Sequence, residues 1–163
     1  MKKSQKSRSG HGKRKTKNKE RRRIAILTEL CAELRNWFEV PNGRHFGKFE
    51  ISGGSIAPLD FLHEGQYFRI VGSVFNDGVH QYPAVDLTDE VFDGCIFAMA
   101  IPPAFLKLVS DIKEYEQSDA GKPSPYTSES FGGYSYTKAT DANGAPIGWQ
   151  KAFAGRIRQW RKL

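Results

Sequence analysis

The chain has 163 residues, of which 39% are hydrophobic and 12% aromatic, a composition that supports one hydrophobic core and excludes a disordered chain. Its net charge of +7 is unevenly placed: residues 1–23 hold twelve Lys and Arg against Glu20 alone, while the other 140 hold thirteen bases and seventeen acids. A mildly acidic body therefore carries a strongly basic arm, and the boundaries expected are an arm at 1–23 and a folded domain at 24–163.

The arm, "MKKSQKSRSGHGKRKTKNKE", shows no apolar periodicity and reads as extended when free. Its cations are Lys2, Lys3, Lys6, Arg8, Lys13, Arg14, Lys15, Lys17, Lys19, Arg21, Arg22 and Arg23. Together they attract phosphate backbones or an acidic protein surface without reading base sequence.

A helix follows, with Ile24, Leu27, Leu30, Cys31, Leu34, Trp37 and Phe38 in one stripe, stopped by Pro41 and Gly43 in "VPNGRH". The middle is β-like. "KFEIS-GG-SIAP" reads as a hairpin turning on Gly53 and Gly54, and "YFRIVGSVF" and "VHQYPAV" flank a second turn at "NDG" (76–78). "CIFAMAI" (95–101) is a short buried strand or a lead-in to Pro102 and Pro103. Pro103 suits the first turn of a helix carrying Phe105, Leu106, Val109, Ile112 and Tyr115 on one face. Beyond "SDAGKPSP" comes an aromatic, alternating stretch around Tyr134 and Tyr136 that reads as a lone strand. A third helix then places Trp149, Phe153, Ile157 and Trp160 on one side.

Chemistry-bearing motifs are sparse. His11, His45, His63 and His80 show no metal-ligand spacing, and no phosphate-binding glycine loop or nucleophile elbow is present. No enzyme, cofactor or metal is therefore expected. Cys31 and Cys95 lie in apolar patterns and read as small buried hydrophobes, which suits a reducing cytoplasm during folding. No apolar run is long enough to cross a bilayer, and none follows the first charges at signal-peptide distance.

"SESFGGYSYTK" (128–138), followed by a linker and a final helix ending "RQWRKL", resembles the C-terminal part of head-tail connector (neck adaptor) proteins of long-tailed bacteriophages. "GQYFRIVGSVFNDGVHQY" and "LTDEVFDGCIFAMAIPP" also look like segments of connectors from phages and prophages of Gram-positive bacteria. The resemblance spans residues 24–163 and leaves out the basic arm. It also leaves out the hairpins between the first two helices, if compact all-helical members set the standard.

The resemblance implies a virion protein in the neck between capsid and tail, met in the host cytoplasm during assembly. Such subunits form a ring, typically twelve-fold, that extends the DNA channel beneath the portal and carries the next neck or tail-completion protein. The fold expected is α+β: a small helical adaptor of three main helices with inserted β-hairpins and an extended C-terminal strand. Ser128, Glu129, Ser130, Phe131, Gly132, Gly133, Tyr134 and Tyr136 would form the subunit interface. Arg156, Arg158, Trp160, Arg161 and Lys162 would dock a partner, besides favouring the negative end of the last helix. The arm would touch portal or packaged double-stranded DNA. The alternative is a nucleic-acid-binding protein acting through the arm alone, although a body of net acidic charge fits that poorly.

Overall fold

A computed structural model describes the backbone of residues 9–118, 128–131, 134–137 and 148–162, with side chains for 18–118 and 148–162. The order is α1 (Ser9–Leu34), β1 (Glu39–Ser52), β2 (Ser55–Ile56), β3 (Tyr67–Val71), β4 (Gly78–Gln81), β5 (Glu90–Met99) and α2 (Pro103–Gln117). There follow β6 (Ser128–Phe131), β7 (Tyr134–Thr137), α3 (Trp149–Ala152) and α4 (Ala154–Arg158). Strands β2-β1-β5-β3-β4 form one antiparallel sheet, curled into a half-barrel.

The three-helix adaptor with inserted hairpins is thereby overturned: the sheet is the centre of the molecule, and only two of the four described helices are long. The reason is β5. "CIFAMAI" supplies half of a ten-residue strand that pairs with β1 on one side and β3 on the other, fusing two local hairpins into one sheet. The β1–β5 register, from Ile51↔Glu90 to Glu39↔Met99, joins residues 39 to 60 positions apart. Local pattern carries no signal for such a pairing. The predicted Gly53-Gly54 hairpin is present, with Ile51↔Ile56 and Ser52↔Ser55 paired.

Each face of the sheet has its own core. Along β5, Phe92, Ile96 and Ala98 join Ile51, Leu59, Leu62, Phe68 and Ile70 inside the curl. Met99, of the opposite parity, packs with Tyr67 and Val79 beneath Ile26, Leu27, Leu30, Phe105, Val109 and Ile112 of the two long helices. Sheet closure depends on Gly94, where a β-carbon would stand 2.2 Å from the Val71 carbonyl oxygen. Only hydrogen fits there.

α1 departs from expectation at both ends. Its backbone is already helical at Ser9, so residues 9–23 are not extended. It ends at Leu34, before Trp37 and Phe38, through paired bonds from the Asn36 amide to the Cys31 carbonyl (3.0 Å) and the Arg35 amide to that of Ala32 (3.1 Å). This is a Schellman closure, with Arg35 left-handed at φ 51°. Pro41 and Gly43 lie inside β1 instead.

The helix expected at the C-terminus is broken at Phe153 into α3 and α4, although Trp149 and Ile157 are both buried as their spacing predicts. Pro103 opens α2 as expected, and Phe105, Val109 and Ile112 are buried, with Leu108 joining them.

Candidate interaction surfaces

The basic arm divides into parts of different availability. Lys2, Lys3, Lys6 and Arg8 lie outside the described residues. Lys13, Arg14, Lys15 and Lys17 sit on the α1 backbone, and Lys19 and Arg21 are exposed further along it. Arg22 and Arg23 are already engaged. The Arg22 guanidinium grips Glu116 near the end of α2, its Nε donating to Oε2 at 2.8 Å, and this bond holds its proton more firmly than usual. Arg23 pairs with Glu20 at 2.9 Å and lies 5.8 Å from the Tyr67 ring centre. These two cations join the arm to the body.

The serine-aromatic stretch is not a lone strand. Ser128↔Thr137, Glu129↔Tyr136, Ser130↔Ser135 and Phe131↔Tyr134 pair antiparallel as a two-stranded sheet separate from the main one. Gly132 and Gly133, named for the interface, lie outside the described residues. The signal was legible in the sequence, since two alternating runs separated by two glycines are a hairpin pattern.

At the C-terminus, Trp160 faces inward. Its ring meets Phe105 at 5.4 Å and Phe38 at 5.9 Å, both edge-on, and Trp160 is half-buried. The Lys162 amide donates to the Leu34 carbonyl at 3.2 Å, so the chain end is fixed to the end of α1. Arg156 donates to Asp111 at 2.7 Å and, with Lys107, holds that carboxyl below its usual range. Arg158 and Arg161 are exposed, as is the Lys162 side chain. Of the expected docking group, these three are therefore presented outward, while Trp160 and Arg156 are occupied within the fold.

"NDG" is not a two-residue turn. β3 and β4 do pair, Ile70↔Gly78 to Tyr67↔Gln81, but residues 72–77 form a longer connection with Asn76 buried at its centre. The Asn76 side chain donates to the Thr88 carbonyl at 2.9 Å and accepts from the Thr88 amide at 2.8 Å. It also bonds Glu90, which binds the Ser73 hydroxyl and takes the Val74 amide at 3.1 Å. Desolvation pushes the Glu90 carboxyl up, but the bonds from Ser73, Asn76 and the Val74 and Phe75 amides outweigh it and leave its pKa lowered. Asn76 is the hub that holds this loop, a role that turn propensity does not reveal.

Two surfaces escaped the sequence reading. On the outer face of β1 and β5, Phe46 is 77% exposed beside Phe97, with ring centres 6.5 Å apart. Arg44 lies 5.6 Å from the Phe97 ring centre, and Arg69 lies 3.7 Å from that of Trp37. The available signal was parity: Phe46 and Phe49 lie three apart on one strand and cannot both face the core. Elsewhere, Phe75 and Val85, 66% and 67% exposed, stand on an open cleft between α1 and the β4 edge.

Both thiols are buried as expected, and burial pushes that of Cys31 up to about 12, which leaves it unreactive. Among the described residues, no group of three or more His, Cys, Asp or Glu could hold a metal ion, and no helix is long and apolar enough to cross a membrane. Comparison with protein-family models, curated proteins and solved structures returned no match.

Proposed function

We propose that the chain is a structural assembly subunit, a head-tail connector that forms a ring beneath a phage portal and extends the DNA channel. The observation that carries this reading is the β6–β7 hairpin, which forms its own sheet just before the short C-terminal helices. A two-stranded hairpin alone is marginal in water, and docking onto a neighbour is one source of the packing it needs. The serine-glycine-tyrosine stretch followed by the basic end is also the part of the sequence that resembles neck adaptors. The helical arm adds an electrostatic contact, because cations on a helix meet a phosphate backbone or an acidic portal flank as a pre-ordered rod.

The test is assembly. The full chain should form rings visible by electron microscopy and should bind a portal ring, less tightly as salt rises. Replacing Tyr134 and Tyr136 together with Ser should leave the melting temperature near that of wild type while particles remain tailless. A folded monomer that ignores portal, or a double variant that completes particles normally, overturns the proposal.

A further inference from the structure

Strand β1 has 14 residues, and β5 covers one of its edges from Glu39 to Ile51. The other edge carries β2 only at Ile51 and Ser52, extended by a bond from the Ala57 amide to the Glu50 carbonyl at 3.3 Å. That bond shows which backbone groups point outward. Alternate residues of a strand present N–H and C=O to the same edge, so those of Arg44, Phe46 and Lys48 share the edge of Glu50. Among the described residues none of the three has a backbone partner there, and all three are exposed. The opposite limit of the sheet differs: the Val79 amide of β4 donates to the Thr28 hydroxyl at 3.3 Å, so α1 already takes up a donor on that edge. An open strand edge is a template for a further strand.

The β6–β7 hairpin has the complementary composition. Its register puts Glu129, Phe131, Tyr134 and Tyr136 on one face and Ser128, Ser130, Ser135 and Thr137 on the other. It is a sheet of two strands, joined to no strand of its own chain's main sheet, so each strand keeps an open edge. On β1 the outer face reads cation, aromatic, cation at Arg44, Phe46 and Lys48, with Phe46 77% exposed. On β6, Glu129 and Phe131 stand two apart. Setting Phe131 opposite Phe46 brings Glu129 opposite Lys48 if the strands run antiparallel, and opposite Arg44 if they run parallel. Arg44 is already paired with Glu39 at 3.0 Å, whereas Lys48 has no ion pair among the described residues. The antiparallel arrangement is therefore the complementary one. In it the four residues Ser128–Phe131 lie along positions 49 to 46 and stop where Ala57 meets Glu50.

We propose that β6 of one copy adds antiparallel to the open edge of β1 in the next, with Phe131 beside Phe46 and Glu129 beside Lys48. The occupant is a second copy, because within one chain the hairpin forms a sheet apart from β1. Main-chain hydrogen bonds supply the joint, and the aromatic and charged pairs set its register. The two surfaces are different, so the contact repeats head to tail, as a ring requires. This rests on the assembly reading above and names the surface that receives its hairpin.

Cysteine cross-linking of the full chain tests the contact. Hydrogen-bonded partners on antiparallel strands have α-carbons about 5.5 Å apart, within reach of a disulfide. Cys31 and Cys95 are buried and do not compete. Lys48→Cys and Glu129→Cys chains, mixed and oxidised with copper phenanthroline, should give a one-to-one disulfide pair on a non-reducing gel. The double variant should give a ladder of linked chains that reductant collapses. Ser128→Cys, on the other face of β6, should link to Lys48→Cys much more slowly. By sedimentation, Phe46→Ser should weaken self-association at least about tenfold while keeping the wild-type melting temperature. The contact is overturned if the mixture forms no disulfide, or if the double variant joins its two sulfurs within one chain. Equal linking from Ser128→Cys and Glu129→Cys also overturns it, as does wild-type association by Phe46→Ser. The connector reading fails separately. If the ladder forms but wild type grows open filaments and does not bind portal, the contact stands and that reading falls. If rings bind portal yet the mixture forms no disulfide, the contact falls and that reading stands.

Discussion

The side-chain amide of Asn36 donates to the backbone carbonyl of Trp160 at 2.8 Å, tying the end of the first helix to the end of the chain. With the Trp160 ring on Phe38 and Phe105, this makes the last residues part of the core that holds α1 against α2. Trp160→Ala should cost about 2–3 kcal/mol, somewhat below the value for a fully buried Trp because this one is only half-buried. Arg158→Ala and Arg161→Ala, at exposed positions, should stay within about 0.5 kcal/mol of wild type. Urea denaturation separates them. A Trp160→Ala chain of unchanged stability would return Trp160 to the role of a partner anchor.

Gly94 and Gly47 face each other across β5 and β1, yet they should respond oppositely to the same substitution. A β-carbon at Gly94 meets the Val71 carbonyl at 2.2 Å, while one at Gly47 meets nothing within 4 Å. Gly94→Ala should destabilise by more than about 2 kcal/mol, through forced movement of β3 away from β5. Gly47→Ala should be neutral or slightly stabilising. Equal melting temperatures for the two variants would show that the β3–β5 approach is looser than described.

Arg35 closes α1 in the left-handed region, a conformation that costs a side-chain-bearing residue about 1–2 kcal/mol and glycine little. Its side chain is exposed, so little packing is lost with it. Arg35→Gly should therefore raise stability by about 0.5–1 kcal/mol, seen as a higher midpoint in urea at unchanged slope. A lower midpoint would mean that the Schellman closure is not what ends the helix.

Acid should weaken the fold in two stages. Burial lowers the pKa of His80 from 6.5, even though its Nε2 lies 2.7 Å from the Asn76 carbonyl oxygen. The unfolded chain then takes up this proton before the folded one does, so stability that is complete above pH 6.5 declines below it until the folded value is passed. The Glu90 carboxyl, lowered from 4.5, adds a second loss as pH falls from that region through its folded value. Urea midpoints from neutral pH to about pH 2 should show both stages. His80→Gln should remove the first and Glu90→Gln should shrink the second, which the lowered Asp111 carboxyl shares, and a wild-type slope in either variant would assign that stage elsewhere.

Much of the chain announces its own elements because the physics is local. The stripes that bury Leu27, Leu30, Phe105 and Ile112, the Gly53-Gly54 turn and Pro103 at a helix start all follow from periodicities and backbone limits within a few residues. The split of charge between arm and body is equally plain in the composition. What stayed hidden depends on residues brought together from far apart. β5 fuses two hairpins by pairing with β1 across as many as 60 positions, and no local rule selects one such partner over another. Asn76 looked like a turn residue because its preference for turns is intrinsic, whereas its burial depends on Glu90 at the start of β5 and Thr88 just before it. Phe46 and Phe75 carry the same side chain as the buried Phe68 and Phe105. Which of them face water is set by strand parity and by where α1 and α2 come to rest on the curled sheet, a property of the packed molecule that a linear pattern does not contain.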